Sequence, residues 1–298
     1  MNSDQLHTFL AVWRHQSFTL AANELGLAPS SVSRAVSALE EEIGARLFQR
    51  TTRAMTPTDA GQHLFEKADT LIDGWEDVRA SIRGEDREPR GRLRVTASIA
   101  FAQMRIAPML ARFADTYPEI QIELSLSDQR VNLIENQIDV AIRHGELEDS
   151  ALVARRLLRT KYRLVASPNL VARDNAIGTP SDLTSRPLVS FSFGDMRSAW
   201  TFSRGDESAL VRVDPAITAS NAMVVREAAL AGAGYSLLAD WMVADDLAKG
   251  RLVEALPDWQ VSGPREASDV WIVYPSRRLI PQRTRAFADY LADEIDRS

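Results

Sequence analysis

The stretch APSSVSRAVSALE, Ala28 to Glu40, decides how the amino-terminal part of this chain is read. Pro29 suits the first turn of a helix, where its missing N–H has no partner to lose. Over residues 30 to 42 the spacing predicts a helix, with Val32, Val36, Leu39 and Ile43 at i, i+4, i+7 and i+11 forming one apolar stripe. The other side carries Ser30, Ser33, Arg34 and Ser37 at i, i+3, i+4 and i+7. Serine is a mediocre helix former, and wet helix faces normally use Glu, Lys or Gln. A face of short neutral side chains around one guanidinium lets a helix backbone press close against a flat partner.

The flanks say what that partner is. Upstream, SFTLAANELGL (17 to 27) reads as a helix capped by Thr19 and ended by a turn through Gly26. Two short helices joined by a Gly-containing turn make a helix-turn-helix, whose second helix enters the major groove of DNA. Serine hydroxyls can serve base edges and phosphates there, and an arginine can pair with guanine O6 and N7. Downstream, GARLFQRTTRAMTPTDAG (44 to 61) holds Arg46, Arg50 and Arg53 before its first acid, Asp59, among turn-compatible Thr and Pro. It reads as a wing lying over the phosphate backbone or minor groove. Residues 1 to 60 nevertheless contain five Arg against six acids, so DNA affinity must come from placement and dimerisation, not bulk charge.

The whole chain agrees with local rather than global attraction. Its 298 residues allow about two domains, and 45% hydrophobic with 26% charged residues is ordinary for a globular protein. Net charge of -6 with a pI near 5.4 gives no long-range pull towards nucleic acid or an anionic membrane. Arginines number 32 against 3 lysines, so patterns carry more weight than any single Arg. The absence of cysteine excludes disulfides, thiolate nucleophiles and sulfur-dependent zinc sites. His7, His15, His63 and His144 are scattered without ligand spacing, so no metal or cofactor is expected. MNSDQLHTFLAVWRH lacks the basic-then-apolar order of a secretory signal, and no segment approaches roughly 18 uninterrupted apolar residues. The expectation is a cytoplasmic chain with no membrane attachment.

Three changes of texture divide the sequence. Residues 1 to 58 form the helical module, opened by Leu6, Phe9, Leu10 and Trp13 at helical spacing. Residues 59 to 83 read as one long helix in which Leu64, Ala68, Leu71, Trp75, Val78 and Ile82 recur at steps of 4, 3, 4, 3, 4, the pattern of a dimerisation seam. Residues 84 to 92, GEDREPRGR, have the composition of an exposed hinge. From residue 93, runs such as LRVTA, IQIEL, IDVAI, YRLVA, PLVSF and VWIVY alternate with helical stretches at 104 to 116 and 222 to 231, the pattern of an α/β fold.

The run SFTLAANELGLAPSSVSRAVSALEEEIGARLFQRTTRAMTPTDAG resembles the winged helix-turn-helix of LysR-type transcriptional regulators almost position by position. GRLRVTAS, APMLARFADTYPEIQIELSLSD, IDVAIRHGELEDSALVARRL and LVASP are similar to the effector-binding domain of that family. Asn132 stands where relatives often carry Asp, and Gln137 where Gly is common. The resemblance implies that Ser30, Ser31, Ser33 and Arg34 face the major groove and that Arg50 and Arg53 contact phosphate or minor groove; Ser37 joins them from the face geometry above. It also implies a linker helix that dimerises the chain, a tetramer of two dimers on an imperfect inverted repeat in a promoter, and effects on RNA polymerase.

By the same resemblance, residues 93 to 298 form a two-lobed, periplasmic-binding-protein-like α/β domain. Lobe I would be 93 to 163 with 267 to 298, lobe II 164 to 266, and a small polar or anionic effector would lie between them. Ser98 after strand LRVTA, and Ser220 with Asn221 before AMVVREAALAG, stand where helix N-termini would offer free N–H groups; ordinary capping explains them equally. SLSDQ adds Ser127 and Asp128 as cleft edges, and SFSFG adds Phe191 and Ser192, with Phe191 and Phe193 pointing one way, into core or ligand. GAGYS (232 to 236) lacks the lysine of a phosphate loop and the central serine of a nucleophile elbow. His144 stands alone, and no nucleophile is paired with a base, so an enzyme explains none of the distinctive blocks. A metabolite-binding protein without a DNA role explains only the last two thirds of the chain; a DNA-binding regulator explains all of it.

Overall fold

A computed structural model describes residues 3–50, 55–83, 88–145, 152–174, 177–192, 195–263, 269–275 and 280–297. The chain divides into two units, one mainly Met1–Arg92 and the other mainly Leu93–Pro118 and Ile122–Arg278. The first unit begins with α1 (Ser3–His15), α2 (Phe18–Leu25) and α3 (Pro29–Ile43). Ser17, extended at φ -154°, accepts the Leu20 amide on its Oγ at 3.3 Å and caps α2. The cap expected at Thr19 therefore lies two residues earlier, because only Ser17 has the non-helical backbone a cap requires. Gly26 closes α2 in the left-handed conformation, φ 64°, and Pro29 opens α3 at its first position.

The apolar stripe of α3 is buried at Val32, Val36 and Leu39, but Ile43 is 41% exposed. Ile43 is the last residue of α3, beyond the reach of the core, and the buried place next to Leu39 goes instead to Glu40. Its carboxylate accepts the amides of Leu47 (2.8 Å) and Phe48 (3.2 Å) and so fixes the root of a hairpin. That hairpin pairs β1 (Phe48–Arg50) antiparallel with β2 (Met55–Pro57); its tip falls outside the described residues.

Helix α4 (Asp59–Arg83) packs back on this unit. Phe65 stacks on Trp13 with ring centroids 4.6 Å apart, and Ala68 and Ile72 are buried in the same core as Phe9, Leu10 and Phe48. The expected seam is thus divided. Leu64 and Ala68 pack into their own unit, whereas Leu71 and Trp75 stay 45% and 52% exposed; the Val78 and Ile82 side chains lie outside the description. The α4 start is tied to the wing through Thr58, whose Oγ1 accepts the Gly61 amide (3.0 Å) and donates to the Arg46 carbonyl (2.6 Å). Gly61 is required here: a Cβ would meet the Leu47 carbonyl oxygen at 2.1 Å.

The second unit holds two α/β lobes. In the first, β3 (Gly91–Ala97), β4 (Ile120–Leu126), β5 (Val140–His144), β6 (Leu152–Leu158) and β15 (Val270–Pro275) lie in the order β4-β3-β5-β15-β6. β3 and β5 are parallel, and β15 runs antiparallel to β5 and β6. After β3, α5 (Ile99–Phe101) continues through a π turn at Ala102–Ile106 and a tight turn at Ala107–Met109 into α6 (Leu110–Thr116). Pro108 cannot donate a helical hydrogen bond, which accounts for the irregular turns around it. The helix read at 104 to 116 therefore starts earlier, directly behind Ser98. α10 (Gln282–Arg297) covers this sheet, with Phe287 against Phe113 at 5.6 Å.

In the second lobe, β7 (Tyr162–Ala166), β9 (Ala199–Arg204), β10 (Glu207–Arg212), β12 (Ser236–Ala239) and β14 (Gln260–Ser262) lie in the order β10-β9-β14-β7-β12, and β13 (Val253–Glu254) also pairs with β7. Beside them β8 (Val189–Phe191) and β11 (Ile217–Ala219) form a parallel pair. Helices α7 (Pro168–Asp174), α8 (Ala222–Leu230) and α9 (Asp240–Ala248) complete it. Tyr162 and Arg163 already pair with Ala239 and Leu238, so the chain crosses between the sheets before residue 162, slightly ahead of the expected 163/164 boundary. The expected return at 266/267 lies outside the described residues. Among the described residues no helix is long and apolar enough to cross a membrane.

Two departures noted in the sequence have physical explanations. Asn132 accepts the Ile134 amide at 3.1 Å and the Glu135 amide at 3.4 Å, the same turn-closing role an Asp would perform. Gln137 sits at φ 53°, in the left-handed region that favours glycine. Its Oε1 accepts from Arg94 Nη1, a bond glycine could not make.

Candidate functional site

The outer face of α3 is formed as its spacing predicts. Ser30, Arg34 and Ser37 are exposed, and Ser31 and Ser33 are half-buried. Arg34 lies back along its own helix, with Nε donating to the Ser30 carbonyl at 3.4 Å and Nη2 to Ser31 Oγ at 3.3 Å. These are long, exposed bonds, so the guanidinium can swing towards a partner at small cost. Arg50 belongs to β1, with its side chain outside the description, and Arg53 lies outside the described residues.

A second cluster joins the two lobes. β3 and β5 run parallel with Thr96 opposite Ala141, so their carboxyl ends bring Ser98 and His144 side by side. Ser98 Oγ accepts the Phe101 amide at 3.3 Å and lies 3.0 Å from His144 Nε2. Asp128 Oδ1 accepts the Ile99 amide at 3.1 Å, and its Oδ2 accepts from Asn221 Nδ2 of the second lobe at 2.7 Å. Asn221 caps α8, its Oδ1 taking the amides of Met223 (2.9 Å) and Val224 (3.3 Å). Trp241, at the start of α9, stacks on His144 with centroids 5.9 Å apart and meets Phe101 edge-on at 5.4 Å.

The expectation that no nucleophile is paired with a base is corrected by Ser98 and His144. The pair is nonetheless unsuited to proton abstraction. Crowding by protein atoms lowers the His144 pKa to about 4, against a smaller opposing pull from Asp128. The ring is crowded and yet keeps an exposed edge, as a residue lining a cleft does. A base that weak holds little driving force for taking a serine proton, and both carboxylate oxygens of Asp128 are bonded to Ile99 and Asn221. Ser98 acts here as a helix cap within hydrogen-bond distance of the His144 ring.

Of the other cleft candidates, Ser127 shapes the turn by accepting the Gln129 amide at 3.1 Å. Ser220 is exposed beside the Asn221 cap. Phe191 is 9% exposed, a core residue, while Ser192 donates its amide to the Ala219 carbonyl at 2.9 Å and flanks the same strand end. Phe193 lies outside the described residues. The structure thus brings together Ser98, Asp128 and Asn221 from the sequence reading and adds Phe101, His144 and Trp241. The parallel strand pair was the available signal for His144, because ligands of α/β sheets sit beyond strand carboxyl ends.

Comparison with known proteins matches both units. Residues 3–62 fit the family model described as bacterial regulatory helix-turn-helix protein, lysR family, and residues 86–296 fit LysR substrate binding domain. The chain belongs to the LysR family. Among its relatives, the HTH-type transcriptional regulator PtxR of Pseudomonas aeruginosa is 35% identical over 297 residues, covering 100% of this chain and 94% of PtxR. CrgA of Neisseria meningitidis is 32% identical over 294 residues, covering 99% and 97%. The solved structure of CrgA, titled a LysR-type transcriptional regulator, aligns with a TM-score of 0.64 over 99% of both chains. Full-length AphB, titled the Vibrio cholerae virulence activator, aligns at 28% identity and a TM-score of 0.60 over 98% of this chain and 99% of AphB. This LysR-type protein is therefore a DNA-binding transcriptional regulator with a winged helix-turn-helix and a two-lobed regulatory domain that binds a small effector.

Proposed function

We propose that this regulator reads an imperfect inverted repeat through the Ser30, Ser31, Ser33, Arg34 and Ser37 face of α3, with Arg50 and Arg53 of the wing on phosphate or minor groove. Dimers would form along α4 and pair into tetramers. The observation that carries the reading is the α3 face itself, with Val32, Val36 and Leu39 fully buried behind it and an exposed Arg34 in front. The exposed Leu71 and Trp75 supply apolar surface for a second copy of α4. Recognition helices of such a dimer would enter successive major grooves about 34 Å apart. A small polar effector between the lobes, beside the Ser98, Asp128 and Asn221 cluster, would change the angle between dimers, alter the bend of the promoter and so the access of RNA polymerase. Since its target is promoter DNA, the regulator would act in the cytoplasm.

The test is footprinting and quantitative gel shift on the regulator's own target, comparing wild type with Arg34→Ala. Expected are two protected patches about one helical turn apart, and a loss in the variant of about 1–3 kcal/mol, roughly 5- to 150-fold, at the guanine position it reads. Unaltered sequence-specific binding by the variant would remove α3 from the interface.

A further inference from the structure

We propose that Asp128 is a built-in carboxylate that latches the two lobes together and reserves the position between Ile99 and Asn221 against acidic effectors, leaving the cleft to molecules with no negative charge at that end. This rests on the reading of the cleft as the effector site and narrows its ligand class. Asn221 spends its Oδ1 on the α8 amides of Met223 and Val224, which fixes the orientation of its amide and aims Nδ2 at the first lobe. The Ile99 amide points at the same spot from the other side. Two donors from opposite lobes thus converge, and the group between them is the Asp128 side chain rather than a diffusible ligand.

Competition favours the tethered group decisively. A carboxylate already held in geometry acts at an effective concentration far above molar, so a free carboxylate at millimolar levels would be outcompeted by a factor of about a thousand or more. An incoming anion would also meet the Asp128 charge. His144 is held neutral and offers no offsetting cation. The nearby Arg143 directs Nη2 to the Val131 carbonyl (2.7 Å) and Nη1 to that of Gln129 (3.5 Å), bracing the loop after Asp128 rather than its carboxylate. Trp241 Nε1, in the ring stacked on His144, is buried without a hydrogen-bond partner, so it too presents no exposed donor to an incoming anion.

The test is chemical rescue of the full chain, without DNA or effector. Asp128→Ala removes a carboxylate the size of formate, and melting is followed in sodium formate, formamide, and sodium chloride of equal ionic strength. The regulatory-domain transition should fall by roughly 3 to 10 °C, and formate alone should restore at least half of the loss while leaving wild type unmoved. A variant that melts like wild type, or that gains no more from formate than from formamide or chloride, overturns the latch. Asp128→Asn gives a second arm with the fold's packing kept. Whichever way its amide turns, one of the two contacts becomes donor against donor, so it too should melt lower, and an unchanged transition overturns the proposal. Because neither DNA nor effector is present, failure here would overturn the latch and leave the effector-cleft reading standing.

Discussion

Replacing Asp246 by Asn should be among the most damaging single-atom changes in the regulatory domain. Asp246 lies on α9 with no exposed surface and accepts Arg226 Nε at 2.7 Å, Arg226 Nη2 at 2.8 Å and Arg251 Nε at 2.8 Å. Arg226 belongs to α8 and its side chain is only 13% exposed, so the two form a forked, desolvated pair between helices. The Arg251 side chain is 44% exposed, and solvent screens its share. Breaking such a buried pair from one side leaves the Arg226 guanidinium with only the exposed Glu227 carboxylate, 2.6 Å from its Nη1, and costs about 3–5 kcal/mol, or roughly 6 to 20 °C in a domain of this size. Replacing both partners, as in Arg226→Met with Asp246→Leu, removes the buried charge and should recover most of that loss. The consequence reaches the cleft, because α8 begins behind Asn221 and α9 carries Trp241. Thermal and urea denaturation of the single and double variants measure the cycle. A loss below about 1 kcal/mol for Asp246→Asn, or a double variant no more stable than the single, would refute the account of this pair as a desolvated brace.

Two further changes test other parts of the structure. Gly61→Ala drives a Cβ into the Leu47 carbonyl, a backbone atom that cannot rotate away, and should cost about 1–3 kcal/mol; equilibrium denaturation reads it, and a neutral effect would mean that the wing root is not where Thr58 and Glu40 hold it. The depressed His144 pKa sets a pH dependence: the folded chain keeps this imidazole neutral to about pH 4, whereas the unfolded chain protonates it near the ordinary histidine value of 6.5. The unfolded state then binds more protons in that window, so stability contributed at neutral pH is lost as pH falls from about 6.5 towards 4. His144→Gln should flatten this part of the stability profile relative to wild type, and identical profiles would remove His144 as its source.

What was legible in the sequence was what depends on neighbours along the chain. The α3 stripe, the turn at Gly26 and the strand runs around LRVTA and VWIVY are local patterns, and the periodicity of each reports its buried face. Local patterns misplace residues at element ends. Ile43 continues the stripe arithmetically, yet the core ends one turn earlier, and Glu40 is buried because the hairpin root brings two unpaired amides to it. The α4 seam is divided for a related reason. Periodicity names an apolar face but not its partner, and here Trp13 and the core around it take up the first turns while Leu71 and Trp75 are left open. β6, reading LVARRLL, has too many arginines to signal a strand, and it forms because β15 supplies a partner along its length.

The cleft separates these two kinds of information most sharply. Ser98 and Asn221 were visible because a helix cap is a local requirement met by few residue types, and both residues do cap. Asp128 was visible only as a polar residue at a strand end, since its role is set by Ile99, 29 positions away, and Asn221, 93 positions away. His144 is solitary along the chain; the register of β3 on β5 places it against Ser98, 46 positions away. Trp241 comes from the other lobe to stack on it. Each step from cap to latch thus adds a longer-range pairing, and with it a change of meaning: a serine and an asparagine that read as anion-binding helix starts become, once Asp128 lies between them, the two sides of a position already filled by the protein's own carboxylate.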